Sequence, residues 1–504
     1  MGAISPTIGL AVERIEIGPD SSMRTLDIAV VIIYLTVVVA VGIASRGRKK
    51  SADEYFTAHG LFSGKLGTLL VGLSIAATFF SGISLIIYIS SAYSGGIQIA
   101  IGIVALPVAW VVLQFWFLPR YLANNWLHPY DIIEERFGNA VRLTLSAMFA
   151  LMRIGWMAVL VYAPAMVIMG TAGLDPSWFW PIVLGIGLSS TAYTVIGGIR
   201  SVIITDAIQF LIVSMGMLFI GLFIWSKLDI TTAEMVRELG DAGRLEMFNF
   251  SLDPKLTFTF WAILIGGGVS NVAAYLSDQM ALQRYLTANT PKEATRSFLI
   301  NIIGALGVVV TLVSVGLLLW LWYQHHPDPN IPSDPDKVIS YFIAQELPVG
   351  IAGLLIASIL AATMSSMTSG VNALAGAFTN DWMARFGRIR TPEETYRMSK
   401  WASLAIGVFA TAMAGFIEQL GTILQANHIV MGLFLGPMLA CMILAVTKNS
   451  ISGVVMLVSM AGGVLVGALV ATTSASGMWV SPVAFVFTIS VAFLASWVFP
   501  KKPA

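Results

Sequence analysis

Charge is what this chain has least of. Asp, Glu, Lys and Arg make up 11% of its 504 residues, 57% are hydrophobic, and mean hydropathy is +0.83. That balance excludes an ordinary soluble domain, in which about a quarter of residues are charged. A formal net charge of +1 gives no field for a nucleic-acid partner. Cysteine is nearly absent: Cys441 sits in an apolar segment with no second thiol, so no internal disulfide forms and the redox compartment is unreadable. Long polar stretches are missing too. No loop between apolar segments reaches the ~50 residues of a small folded domain, which leaves no room for a soluble catalytic unit and predicts a protein that is not an enzyme. Residues 1–22 lack the basic start and apolar core of a signal peptide, and Pro6 departs from the myristoylation pattern. Residues 1–26 read as an external tail, with Met23 a natural start for a membrane protein.

What the chain has is apolar length. Segments of about 20 apolar residues, enough to cross a bilayer, recur near 27–45, 67–94, 97–118, 141–170, 178–196, 201–226 and 257–284, then near 298–323, 349–382, 401–420, 426–446, 451–472 and 480–499. These thirteen spans predict an all-α polytopic protein of the lipid bilayer. Lys and Arg gather in alternate loops: residues 46–50 (RGRKK), Arg120, Arg136, Arg142, Arg200, Arg284, Lys292, Arg296, the stretch from Arg385 to Lys400, Lys448, Lys501 and Lys502. Since cytoplasmic loops carry the excess of basic residues, the N-terminus is expected outside and the C-terminus inside, in the plasma (cytoplasmic or inner) membrane. Outer loops 227–256 and 324–347 are longer, and each is expected to hold a short helix.

The most informative span holds LLIASILAATMSSMTSGVNALAGAF, with Ser365 and Ser366 side by side and Thr368 and Ser369 after them. In hydrocarbon a hydroxyl must find its partner inside the protein. The bland reading bonds each one back to a carbonyl of its own helix. The functional reading gives them a dehydrated cation, which takes oxygen ligands and needs free carbonyls from a second, interrupted helix.

Two spans qualify as interrupted. Span two reads LLVGLSIAATFFSGISLIIYISSAYSGG, and span seven carries Gly266, Gly267 and Gly268 in a row. Both are longer than a straight crossing requires, and they stand five spans apart, as an inverted repeat of five plus five helices predicts. The expected organisation is a leading helix 27–45, a first repeat 66–226, the external loop 227–256, a second repeat 257–446, and two trailing helices with a short tail in 451–504. The hydroxyl face would then look across at the break in span two. Carbonyls of Ala76 and Phe79, freed before Ser81 and Gly82, would join the Ala362 carbonyl and the Ser365 and Ser366 hydroxyls around one Na+.

The chain resembles the sodium/solute symporter family, relatives of the sodium-coupled sugar, proline, sialate, iodide and monocarboxylate transporters. The residues carrying the resemblance are SADEYFTAHG (51–60), AATFFSG (76–82), YAPA (162–165), TAYTVIGGIRSVIITDAIQF (191–210), SDQMALQRYLTA (277–288), AATMSSMTSG (361–370), LGTILQA, and Gly436 with Pro437. It implies a LeuT-like fold, alternating access driven by the sodium gradient, no cofactor beyond the coupling Na+, and the five ligands just named, which match the family's sodium site position by position.

Asp206 lies inside span six, where a charge is costly and therefore functional by default; the bland reading is a wet residue at the inner mouth. By resemblance it lies on the sodium exit path or beside a second ion. Members with a second ion carry a hydroxyl where this chain has Ala362, so one coupled Na+ is expected. Arg153, deep in span four, needs an anion. That anion is either internal or a substrate carboxylate, which a guanidinium grips bidentately.

Further substrate contacts are expected at Thr78, Phe80, Ile83, Ser84, Gln98, Asn271, Tyr275, Gln425 and Asn427. The sugar transporters' Asn and Gln are Thr78 and Ile83 here, and their inner-gate Tyr is Ala274, which argues against a hexose. Of the sialate members' three hydroxyls only Thr78 remains, Phe80 and Ile83 replacing the others. The expected function is Na+-coupled symport of a small organic solute, a carboxylate. The alternatives are Na+- or H+-coupled symport of a neutral amino acid such as proline, and a solute-binding sensor with a transporter fold, against which stands the lack of an output domain after Pro500.

Overall fold

The computed structural model describes residues 25–45, 55–56, 62, 64–122, 128–287, 290–383, 385–387, 391–420, 423–447 and 450–498, without side chains at 418–420 and 423–426. The tail 1–24, the RGRKK run, most of 51–60, Lys448 and the C-terminal lysines lie outside the described residues. Among those described, ten helical stretches are long and apolar enough to cross a membrane, and two shorter apolar helices accompany them. Their outward faces are apolar, as at Ile32 and Ile33, Met215 and Leu218, or Leu465 and Leu469. Exposed hydrophobic surface on that scale is stable only against lipid. The protein is an integral membrane protein.

Helix α1 (Thr25–Ala44) lies at the periphery, with only 22% of its apolar window buried. The next crossing is broken: α2 (Gly64–Phe79) ends, Ser81 is extended (φ −89°, ψ 172°), and α3 (Gly82–Gly95) begins with the Ser81 hydroxyl accepting the Ser84 N–H. A 3-10 stretch (Gly96–Val104) leads into α4 (Ala105–Val112). The amphipathic α5 (Asp131–Phe137) precedes the long α6 (Asn139–Ala172).

Spans five and six, expected as separate helices, are two helical segments that meet at a kink within the run α7 (Phe179–Lys227). Its single departure is Gly198 at φ 62°, ψ −162°, a conformation that needs glycine. The longer loops 227–256 and 324–347 hold α8 (Thr232–Asp241), started by a Thr231–Glu234 capping box, and α12 (Pro335–Glu346), capped by Asp334.

Span seven corrects the sequence reading. Its three glycines do not break the helix: a π turn (Ala262–Gly267) continues directly into α9 (Gly268–Leu276). Gly266 serves close packing, because a Cβ there would stand 2.4 Å from the Met478 carbonyl oxygen. The break falls at Ser277, and Asp278 caps α10 (Gln279–Leu286) by accepting the Met280 N–H at 2.8 Å. An Asx cap stops a helix more firmly than a glycine, which merely permits an irregularity.

The remaining elements are α11 (Pro291–His325), α13 (Ile351–Ala377), α14 (Pro392–Met413), α15 (Ile423–Val446), α16 (Gly453–Ala471) and α17 (Val480–Val498). α13 is the central helix: 89% of its apolar window is buried, against α7, α6, α1, α14 and α2. A helix buried on all sides must satisfy its hydroxyls internally, so the Ser365–Ser369 block falls where its neighbours have to answer it.

Candidate functional site: a hydroxyl face, a broken helix and a cavity

The Ser365 hydroxyl donates to the Ala362 carbonyl within α13 (3.0 Å) and across to the Ala77 carbonyl on α2 (3.1 Å). Ser366 donates to the Ala77 and Thr78 carbonyls at 3.3 and 3.0 Å. Both serines are fully buried. Five oxygens thus converge between α13 and the last turn before the break. Three belong to expected residues: Ala362, Ser365 and Ser366. The two facing carbonyls are those of Ala77 and Thr78 instead of Ala76 and Phe79. The reason is that α2 stays helical through Phe79: the Ala76 carbonyl accepts the Phe80 N–H at 2.9 Å, and the Phe79 carbonyl lies 3.5 Å from the Ser84 hydroxyl. Hard oxygens from hydroxyls and carbonyls are the donor set a Na+ ion takes. The hydroxyls hold their protons toward carbonyls here, and each keeps lone pairs for a cation.

A second polar cluster adjoins this one. Thr78 lies 3.1 Å from Ser369, hydroxyl to hydroxyl, so its side chain belongs to this cluster and not to the cavity wall. Asp206 Oδ2 accepts from Ser74 (2.8 Å), Ser369 (3.2 Å) and Arg284 Nη2 (3.0 Å), with Asp206 and Arg284 both fully buried. The Arg284 guanidinium also donates to Ser74, Ser369 and the Met280 carbonyl. Asp206 Oδ1 has no partner among the described residues. Sequence reasoning missed Arg284 as the counter-ion, having placed it in a cytoplasmic loop. The available signal was that a buried carboxylate demands a cation.

Arg153 finds its anion inside the chain. Its Nη2 pairs with Asp278, both groups buried, and its guanidinium lies over the Trp156 ring at 4.4 Å from the centroid. Of the two anions expected for Arg153, internal or substrate, the structure supplies the internal one. Asp278, the cap of α10, is committed to the arginine, so the pair clasps α6 to the break after α9.

Beside the broken helix is a cavity of about 210 Å³. Expected residues on its wall are Phe79, Phe80, Ile83, Ser84, Arg153, Asn271, Tyr275 and Asn427. Tyr88, Trp156, Ser270, His428 and Met431 line it as well and were not anticipated. Gln98 lies on the 3-10 stretch, half-buried and off this wall. The Gln425 side chain is outside the described residues. His428 follows Asn427 directly, and a histidine in so apolar a run was the signal available. Aromatic rings crowd one end, Phe79 against Tyr275 at 4.6 Å and Phe80 against Tyr88 at 6.3 Å between centroids.

A membrane protein with a broken helix, a buried hydroxyl face opposite it and a small cavity alongside has the parts of a secondary transporter. Comparison with known proteins gives the narrower statement. A model of the sodium:solute symporter family matches residues 55–463, and the chain belongs to that family. It is 27% identical to the human sodium/iodide cotransporter over 86% of this chain and 67% of that one. It is 28% identical to the sodium/sialic acid symporter NanT of Aliivibrio fischeri over 84% and 83% of the two chains, and 27% identical to the human sodium-coupled monocarboxylate transporter 2 over 89% and 73%. In fold it is similar to a solved Na+-coupled sialic acid symporter in a substrate-bound outward-open state (TM-score 0.86, 24% identity, covering 95% of this chain and all of that one). A nucleobase-cation-symport-1 family transporter shares the fold more distantly, at a TM-score of 0.55. The protein is a Na+-coupled solute symporter of the integral membrane class, with LeuT-like transporters as fold neighbours.

Proposed function

We propose that the protein carries a small organic carboxylate into the cell together with one Na+, by alternating access. The observation that bears most weight is the convergence of the Ser365 and Ser366 hydroxyls on carbonyls at the break in the second crossing, next to the cavity. Ion and solute would then bind on either side of one flexible joint, so that each stabilises the geometry the other needs. The carboxylate is supported by the relatives, whose names specify iodide, monocarboxylates and sialic acid, anions all. A cavity of about 210 Å³ is below the ~300–1,000 Å³ of sites for drug-sized ligands and favours a small monocarboxylate over a sugar acid.

We read the chain as thirteen crossings in a five-plus-five inverted repeat, with α2 and α3 forming one crossing, the helical run 96–121 the next, α7 two across Gly198, and α9 with α10 one. The cytoplasmic side is assigned from Lys and Arg, with the N-terminus outside. The hydroxyl–carbonyl cage and the Asp206–Arg284 pair form successive stations on the ion's route, Arg284 holding the charge of Asp206 in balance until Na+ passes.

One observation favours a second reading. Because Asp278 neutralises Arg153, the cavity offers no spare positive charge, which suits a neutral or zwitterionic solute such as proline. The experiment that separates the two is thermal unfolding of the purified protein with monocarboxylates, sialate, amino acids and sugars, each in Na+ and in K+ at equal ionic strength. Ligands of the folded state raise its stability by mass action. A shift with a monocarboxylate only in Na+ is expected; a shift confined to proline-like solutes would replace the carboxylate reading, and shifts alike in Na+ and K+ would remove the coupling.

A further inference from the structure

The polar side chains on the cavity wall divide into those already satisfied and those left over. Arg153 is held by Asp278. Asn271 Nδ2 donates back to the Gly267 carbonyl at 2.9 Å, and the Ser84 hydroxyl is shared between Ser81 and the Phe79 carbonyl, each 3.5 Å away. Tyr88, Ser270, Asn427 and His428 are left over, and of these His428 alone carries a ring with both a donor and an acceptor nitrogen. It lines the cavity half-buried and, among the described residues, has no hydrogen-bond or charged partner.

Among the described residues, nothing on the two helices packed behind it supplies one. Gly477 sits against the His428 Cβ side, and α16 and α17, which pack on α15, carry no ionisable residue. An imidazole that faces the cavity without a protein partner leaves its donor and acceptor open to whatever occupies the cavity.

We propose that His428 is the group that recognises the polar end of the solute, its ring N–H donating to a carboxylate oxygen, while Arg153 acts only as a clasp between α6 and α10. The solute's remaining atoms meet Phe80, Tyr88 and Trp156, so the solute class is a small carboxylate with an apolar body, aliphatic or aromatic. Asn427, adjacent in sequence and on the same wall, is a second hydrogen-bonding group beside the first. This deepens the proposed carboxylate symport and rests on it.

The test uses the full chain purified in detergent, with benzoate, butyrate and lactate as probes in Na+, reading both dissociation constants and the thermal shift given by Na+ alone. His428→Phe keeps a ring and removes both polar nitrogens; His428→Gln keeps a donor. The expected result is at least about tenfold weaker binding of the best probe by His428→Phe, as for a lost hydrogen bond to a charged group, and near wild-type binding by His428→Gln, with the Na+ shift intact in both. Wild-type affinity in His428→Phe would overturn the assignment of His428 alone. No binding of any probe by the wild-type protein, despite an intact Na+ shift, would overturn the carboxylate reading with it. Should His428→Phe lose the Na+ shift through misfolding, His428→Met makes the same comparison.

Discussion

Ser365 and Ser366 owe their role to what each must do with a proton. A buried hydroxyl donates once and retains lone pairs, so a serine that donates to a carbonyl across the helix interface can still offer oxygen to a cation. Removing one of about five oxygens costs on the order of a hydrogen bond, and Ser365→Ala is expected to weaken apparent Na+ affinity roughly tenfold. A Na+ titration of thermal stability checks this, and an unchanged midpoint would remove Ser365 from the site. The Arg153–Asp278 pair makes a different prediction. Asp278→Ala strands a buried guanidinium and should cost about 3–5 kcal/mol, whereas replacing both members, Arg153→Met with Asp278→Leu, should recover most of that. Thermal unfolding of the three proteins decides it: full loss in the double variant as well would mean that the cap on α10, and not the charge, carries the effect. Ser365, Ser366 and Asp206 were legible in the sequence because a polar group deep in an apolar run must be answered. Their partners Arg284 and Asp278 were not, because hydropathy shows depth along a helix but not which neighbour it faces.

At the scale of elements, helix breaks decide the architecture. The break in the second crossing could be read from Ser81 and Gly82 amid an otherwise continuous apolar run. In the seventh the glycines misled, since Gly266 answers a close approach by Met478 while Asp278 makes the stop. Gly198, by contrast, does interrupt its helix, and the kink there divides α7 into two segments. The peripheral helix α1 also has a task the sequence did not show. Asp27 accepts the N–H groups of Gly350 and Gly353 at 2.7 and 2.8 Å, capping α13 at the end remote from the π turn 378–383. Asp27→Ala should therefore lower stability by about 1–2 kcal/mol and speed amide hydrogen exchange in the first turns of α13. Unchanged exchange there would mean that the cap is redundant.

Across the whole molecule, the segments that bear the site are joined at one end by charge. Arg142 is fully buried and reaches Asp131 (2.5 Å), Glu134 (3.0 Å) and Asp381 (2.6 Å); Ser146 and Gln279 also donate to Asp381, and Arg385 pairs with Glu134. This ties α5, α6 and α10 to the π turn that follows α13. A cluster in which one arginine serves three carboxylates holds those helices together only while it stays intact. Asp381→Ala is expected to cost about 3–5 kcal/mol, visible as a lowered unfolding temperature. Apolar length was enough for the membrane class, and the resemblance of the ordered motifs pointed to the family, because both survive without knowledge of packing. The cavity's contents did not follow, since its wall draws side chains from helices far apart in the chain.

The proposed coupling of Na+ at the Ser365–Ser366 face to entry of a small carboxylate can be measured in transport itself. Its most direct test is uptake of radiolabelled benzoate, butyrate or lactate into proteoliposomes of the wild-type protein and of Ser365→Ala, with an inward gradient of Na+ or of K+. Accumulation above the external concentration is expected with Na+ only, with the Na+ dependence shifted to higher concentration in Ser365→Ala. Equal uptake under both gradients, or an unaltered Na+ dependence in the variant, would contradict it.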